Sequence, residues 1–126
     1  LKTVNLNLVM FRDRKKGIRR ILQVAEFDTQ DNTAKANILY RWTADGDRMI
    51  RHSESSRFFE DMQRNTGMSQ ADIDKDLDEK KKILLWLIKN NIRNLDGFGK
   101  VMNLYYRNRP FLITAMNKNE PRLVLA

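Results

Sequence analysis

The chain reads as an α+β protein: a small antiparallel sheet in the N-terminal half, then three to four helices. Three observations predict this. Apolar residues alternate at period two only before about residue 52, and they recur at helical spacing only after Ser53. Strands in one run and helices in the next are the pattern of segregated layers. Glycine, aspartate and proline punctuate the chain where each element should stop. One domain over 1–126 is expected, with strands within 3–52 and helices within 53–116.

Val4, Leu6, Leu8 and Met10 alternate with Asn5, Asn7, Val9 and Phe11 and predict the first strand. Arg12 to Gly17 is a polar turn, and Ile18 to Phe27 is the returning strand of a hairpin. Thr29 to Thr33 reads as a loop, Asn37 to Trp42 as a third strand, and Asp45-Gly46-Asp47 as a turn into a short strand through Met49 to Arg51. The second strand carries Ile18, Leu22 and Val24 on one face and Ile21, Ala25 and Phe27 on the other. A hairpin with one wet face alternates more cleanly. Apolar residues on both faces predict cover on both sides, as at the margin of a larger sheet. A bared sheet edge of that kind invites self-pairing.

Ser53, Ser55 and Ser56 are candidate N-caps for a helix carrying Phe58, Phe59 and Met62, which Gly67 closes in the left-handed conformation. Ser69 with Asp72 approximates a capping box for the next helix. Its predicted core stripe is Ile73, Leu77, Leu84, Leu87 and Ile88, with Asp78 and Lys82 spaced for an ion pair. Asp96 is the expected cap of a third helix bearing Phe98, Val101, Met102 and Tyr105. Pro110 either stops it or opens a last short turn. The tail from Asn117 should fray, although Leu123-Val124-Leu125 hints at docking.

Hydrophobic residues at 41% can form a core, and charged residues at 32% can solvate it. No stretch approaches the roughly 18 uninterrupted apolar residues of a membrane span, and no secretory leader is read at the start. The absence of cysteine excludes disulfides, thiolate metal sites and a cysteine nucleophile. A net charge of +8 fits an acidic partner, and it equally fits plain solubility. The one real basic cluster is Arg12, Arg14, Lys15, Lys16, Arg19 and Arg20. It is the candidate for contact with a polyanion or an acidic partner; as a solvated hairpin tip it would do nothing.

Reagents are missing. No glycine is followed by Lys-Ser or Lys-Thr, so no Walker A loop is present. Gly97-Phe98-Gly99-Lys100 reads better as a helix start than as a phosphate loop. His52 is the sole histidine, and its neighbouring serines sit where caps belong. One histidine and no cysteine leave no typical zinc site. The aspartates from Asp72 to Asp78 fall at every second position and fan out around a helix, unlike a calcium loop. No catalytic or metal-ligating residue is assigned. Trp42, Tyr40, Tyr105 and Tyr106 could stack on bases, but their spacing is that of core residues.

Three segments in order resemble the C-terminal part of the archaeal secretion and pilus-assembly ATPases of the type II/IV secretion superfamily. They are Leu6-Asn7-Leu8-Val9-Met10-Phe11 with Ile18-Arg19-Arg20-Ile21 and Ala25-Glu26-Phe27; then Asn37 to Trp42; then Gly67-Met68-Ser69 through Leu84-Leu85-Trp86-Leu87, Asn91-Ile92-Arg93-Asn94 and Tyr105-Tyr106. Asn7 stands where the family commonly has aspartate, and Lys80 where it commonly has arginine. The resemblance implies a segment beyond the catalytic core, with ATP and magnesium bound by the parent enzyme and no cofactor held here. It implies as partners the rest of the ATPase, neighbouring subunits of a hexameric ring and a membrane platform protein. It also implies a cytoplasmic place, peripheral to the inner face of the membrane. Arg19 and Arg20 match a family arginine pair and are the candidates for nearness to nucleotide or a subunit interface. The competing reading is an independent basic module that binds nucleic acid, helix-turn-helix-like, with Gly67-Met68-Ser69 as the turn and Lys75, Lys82 and Lys89 on one helix face.

Overall fold

Antiparallel pairing of four consecutive strands organises the first half of the chain. The computed structural model describes residues 6–30 and 32–125; the predicted strand start at residues 3–5 lies outside them. The strands are β1 (Leu6–Asp13), β2 (Ile18–Gln30), β3 (Thr33–Thr43) and β4 (Arg48–Arg51), in the order β1-β2-β3-β4. The helices are α1 (Phe58–Thr66), α2 (Gln70–Lys89), α3 (Leu95–Arg107), α4 (Arg109–Lys118) and α5 (Arg122–Leu125). The α+β arrangement is as the residue pattern predicts. The chain divides into two compact units, Leu1–Gln70 and Ala71–Ala126. No helix of the described residues is long and apolar enough to cross a membrane.

In the first unit the predicted loop over 29–33 is mostly strand. Gln30 pairs with Thr33, and Asn32 takes a left-handed φ of 64° beside them. Backbone pairing is indifferent to side-chain polarity, so polar residues there continue the ladder up to a tight turn. The β1–β2 turn is held by Asp13, whose Oδ1 accepts from the amides of Lys15 (2.9 Å) and Lys16 (3.2 Å). The pairing slips once between Val9 and Met10 and once between Val24 and Ala25. Bulges of this kind bend a strand and reset which side chains share a face. The extra residue is Leu22 of β2 in the first and Leu39 of β3 in the second, so the first explains why β2 shows no clean alternation. Ala25 and Glu26, adjacent and therefore on opposite faces, are both fully buried, so β2 is covered on both sides at that point. Toward the hairpin the cover is lost: Leu8 is 52% and Met10 65% exposed.

In the second unit the core is Ile83, Trp86, Leu87, Val101, Tyr105, Leu112, Ala115 and Val124. Two expectations for α2 and α3 need correction. The stripe predicted for α2 holds at Ile73 and Leu87 and is shifted elsewhere: Ile83 and Trp86 are buried, whereas Leu77, Leu84 and Ile88 stand about half exposed. Leu77, Leu84 and Ile88 lie on the helix shoulder, and α2 turns a neighbouring row inward. The cap of α3 is Asn94, whose side chain accepts from the Gly97 amide at 2.6 Å; Asp96 lies in the first turn and pairs with Lys100. An extended backbone at Asn94 aims its oxygen at the free amides, which a residue inside the helix cannot do. Pro110 opens a full ten-residue helix, tolerated where no amide donor is needed. Val124 is buried in the core, so the tail docks.

Gly97 is fixed by this turn. A Cβ there would lie 2.7 Å from Asn94 Oδ1 and 2.8 Å from Ile92 Cγ2, while one at Gly99 meets nothing within 4 Å. Gly97→Ala should therefore destabilise the chain by about 1–3 kcal/mol through overpacking. Gly99→Ala should be neutral or stabilising by up to about 1 kcal/mol. Paired urea denaturations of the two variants test this, and equal effects would refute it.

Candidate functional site

The most constrained polar group in the first unit is the Glu26 carboxylate, fully buried in β2. Oε1 accepts from the Ser56 amide (2.5 Å), the Ser56 hydroxyl (3.0 Å) and Asn37 Nδ2 (2.8 Å). Oε2 accepts from the Phe58 amide (2.9 Å) and the Ser55 hydroxyl (2.8 Å). The amides belong to the start of α1, so a carboxylate from a strand caps the helix. Its charge complements the helix dipole as well. Ser53, Ser55 and Ser56, expected as N-caps, thus have other work. Ser55 and Ser56 donate to Glu26, and Ser53 donates to the Ile38 carbonyl at 2.5 Å, with Asn37 Oδ1 2.7 Å away. Ser55 Oγ keeps one capping contact, from the Phe59 amide at 3.4 Å. Burial pushes the Glu26 carboxyl up, but the amides of Phe58 and Ser56, with Asn37 and Ser55, outweigh it and hold the group at about 2.

Arg20 belongs to a second cluster at the other end of the sheet. Its guanidinium grips Asp47 with two hydrogen bonds, Nε to Oδ1 at 2.7 Å and Nη2 to Oδ2 at 2.6 Å, and Nη1 donates to the Arg19 carbonyl at 2.8 Å. Trp42 Nε1 donates to the same Asp47 oxygen at 2.7 Å, and the Trp42 ring lies 5.7 Å from that of Phe11. Asp47 sits in the β3–β4 turn at φ 46°, so the cluster ties that turn to β2. Arg20 and Trp42 together hold the Asp47 carboxyl at about 2. Paired this way, Arg20 serves the sheet.

Arg19 differs. It is exposed and lies directly opposite Arg12 in the β1–β2 ladder. Like charges in that position repel, and the adjacent turn adds exposed Arg14, Lys15 and Lys16. On the same face follow the pairs Met10 with Ile21 and Leu8 with Val24. The six predicted cations are therefore split: Arg20 is clamped, and the other five project around one end of a partly exposed apolar face.

The second unit holds its own polar joints. Asp76 accepts from the Tyr105 hydroxyl at 2.5 Å and from Lys80 at 2.8 Å, and Lys80 Nζ lies 5.7 Å from the ring centres of Tyr105 and Tyr106. Burial, reinforced by Asp76, pushes the Tyr105 hydroxyl up to about 12. Arg109 forks onto Glu79. Trp86 Nε1 and Asn90 Nδ2 both donate to Asn119 Oδ1, at 3.0 and 3.1 Å, tying α2 to the end of α4. A groove of about 270 Å³ between α2 and α4 is lined by Lys75, Asp78, Glu79, Lys82, Ile113, Met116 and Asn117. Its two lysines are matched by two carboxylates, and Lys82 is paired with Asp78 at 3.0 Å. Among the described residues no group of three or more His, Cys, Asp or Glu is placed to hold a metal ion. Gly97-Phe98-Gly99-Lys100 lies within the first two turns of α3, with the Gly97 amide already taken by Asn94.

Sequence reasoning missed the role of Glu26. The available signal was a lone carboxylate in a strand with apolar residues on both faces. Removing the network's charge by Glu26→Gln should cost on the order of 3 kcal/mol. A depressed carboxyl contributes stability that is complete above its unfolded value, 4.5, and is lost as pH falls through about 2. The variant should accordingly lose part of the wild-type acid sensitivity between those values, measured by urea unfolding across that pH range. Trp42→Phe should raise the Asp47 carboxyl, read by carbon-13 titration of its side chain. No protein-family model matches this chain, and no curated protein matches it.

Proposed function

We propose that this chain is the C-terminal structural and assembly segment of a hexameric secretion or pilus-assembly ATPase, of the type that also drives archaeal motility filaments. The single observation that carries the reading is the use made of the chain's charged residues. Glu26 caps α1, Arg20 clamps the β3–β4 turn, and Asp76, Glu79 and Arg109 join helices. These groups are engaged as joints, each held by fixed partners. In this reading ATP and magnesium act in the parent enzyme, on residues outside this segment. The partners are the rest of that enzyme, its neighbours in the ring and a membrane platform protein, at the inner face of the membrane. The sheet face exposed at Leu8 and Met10 supports the reading, since it is the surface of a sheet that expects a neighbour.

The alternative, a nucleic-acid-binding module, is favoured by the opposed Arg12–Arg19 pair and weakened at α2. That helix opens on Asp72, Asp74, Asp76, Asp78 and Glu79 against Lys75, a repulsive start for a helix meant to enter a groove.

The chain alone should show no magnesium-dependent ATP turnover, and the reading frame upstream of Leu1 should encode a Gly-Lys-Thr or Gly-Lys-Ser loop. Saturable hydrolysis by the 126 residues, or an upstream frame without such a loop, would overturn the proposal. The alternative requires duplex binding that falls steeply with salt; the assembly reading expects none beyond weak, non-saturating attraction.

A further inference from the structure

The chain carries the dipeptide Asp-Gly twice, at Asp45-Gly46 and at Asp96-Gly97. In this dipeptide the peptide nitrogen after the aspartate reaches the side-chain carboxyl carbon most easily, because glycine has no Cβ to block the approach. The fold places the two copies in opposite circumstances.

Asp45 and Gly46 are the central residues of the β3–β4 turn. The Asp47 amide donates to the Ala44 carbonyl at 3.2 Å, and Gly46 takes φ 76°. Both residues are exposed. Among the described residues the Asp45 carboxylate has no hydrogen bond or ion pair, and the Gly46 amide has no acceptor. Asp96-Gly97 lies instead in the first turn of α3. There Asp96 pairs with Lys100 at 3.4 Å, and the buried Gly97 gives its amide to Asn94 Oδ1 at 2.6 Å. Ring closure at that site requires the start of the helix to open first.

We infer that Asp45 is a site of spontaneous backbone modification, isomerising through a cyclic imide, and that the fold protects Asp96 from the same reaction. The Gly46 nitrogen attacks Asp45 Cγ. The N–Cγ bond forms, and the side-chain hydroxyl leaves as water with the amide proton. Water then reopens the five-membered ring. Addition at Cγ restores aspartate. Addition at the main-chain carbonyl carbon leaves isoaspartate, whose backbone runs through Cβ and Cγ and whose α-carboxylate becomes the side group. One water is lost and one gained, so composition is unchanged and no oxidant or cofactor is needed.

The position gives this change a consequence. The same turn carries Asp47 to Arg20 and Trp42, through hydrogen bonds of 2.6 to 2.7 Å. Isoaspartate lengthens the backbone by one carbon–carbon bond, about 1.5 Å, two residues before Asp47. Hydrogen bonds do not survive displacements of that size. Isomerisation at Asp45 therefore releases the clamp between the β3–β4 turn and β2. The inference stands apart from the assembly reading and needs no partner.

Ageing the intact chain at mildly acidic pH tests it, with isoaspartate mapped by methyltransferase labelling of its peptides. The label should accumulate at residue 45 at least about tenfold faster than at residue 96. In urea the two rates should converge, because only the fold separates them. Asp45→Glu keeps the charge but would have to close a less favourable six-membered ring, so it should abolish the label there. Nitrogen-15 spectra give a second readout. In the isoaspartate form the Trp42 indole signal should shift, while that of Trp86 should not. Equal rates at the two sites in the folded chain would overturn the inference, as would no reaction at Asp45 or a difference that persists in urea. An unmoved Trp42 signal in the isomerised chain would overturn the link to the clamp.

Discussion

The Glu26 carboxylate is the interaction on which the first unit depends. It is a full negative charge in a fully buried position, which is tolerable only when every lone pair is met. Two backbone amides, two hydroxyls and one side-chain amide meet it. Those donors come from β3, from the segment after β4, and from the first turn of α1. One side chain therefore dictates how three parts of the chain converge on β2. The geometry also explains the run of serines before α1. Small hydroxyl residues can approach a strand closely and point donors at a single acceptor, which larger side chains cannot do.

The same economy runs through the rest of the molecule. Asn94, Asn108 and Asn119 each use a short amide side chain at a helix end, two as caps and one as a bridge from α4 to Trp86. Asn119 is itself left-handed at φ 52°, a conformation asparagine adopts more readily than most residues. The helical unit is thus punctuated by asparagine where many helices use glycine and serine. Its core remains apolar, with the Trp86 indole and Tyr105 hydroxyl finding partners at the rim.

The engaged carboxylates and guanidiniums are held by fixed partners. Among the described residues, the basic hairpin, the apolar ladder beneath it and the shoulder of α2 are exposed. Surfaces of that kind suit recognition, because apolar contact supplies affinity while charge sets register and choice of partner.

Much of this was legible in the residues. Period-two alternation located β1 and the middle of β3. Gly67 marked the end of α1, where it is left-handed at φ 73°, and Asp78 with Lys82 gave their ion pair by spacing alone. Those features are local, set by conformational preference within a few residues, and the chain determines them by itself. The rest was decided by tertiary structure. A bulge at Leu22 resets the faces of β2, so alternation could not report what is buried. The half of α2 that turns inward depends on where α3 and α4 lie, so Ile83 and Trp86 displaced Leu84 and Ile88 from the core. Glu26 meets the Phe58 amide across 32 positions of chain, and Arg20 meets Asp47 across 27. No spacing rule spans such separations, because the partner is chosen by the folded path of the backbone and by the need to satisfy a buried charge.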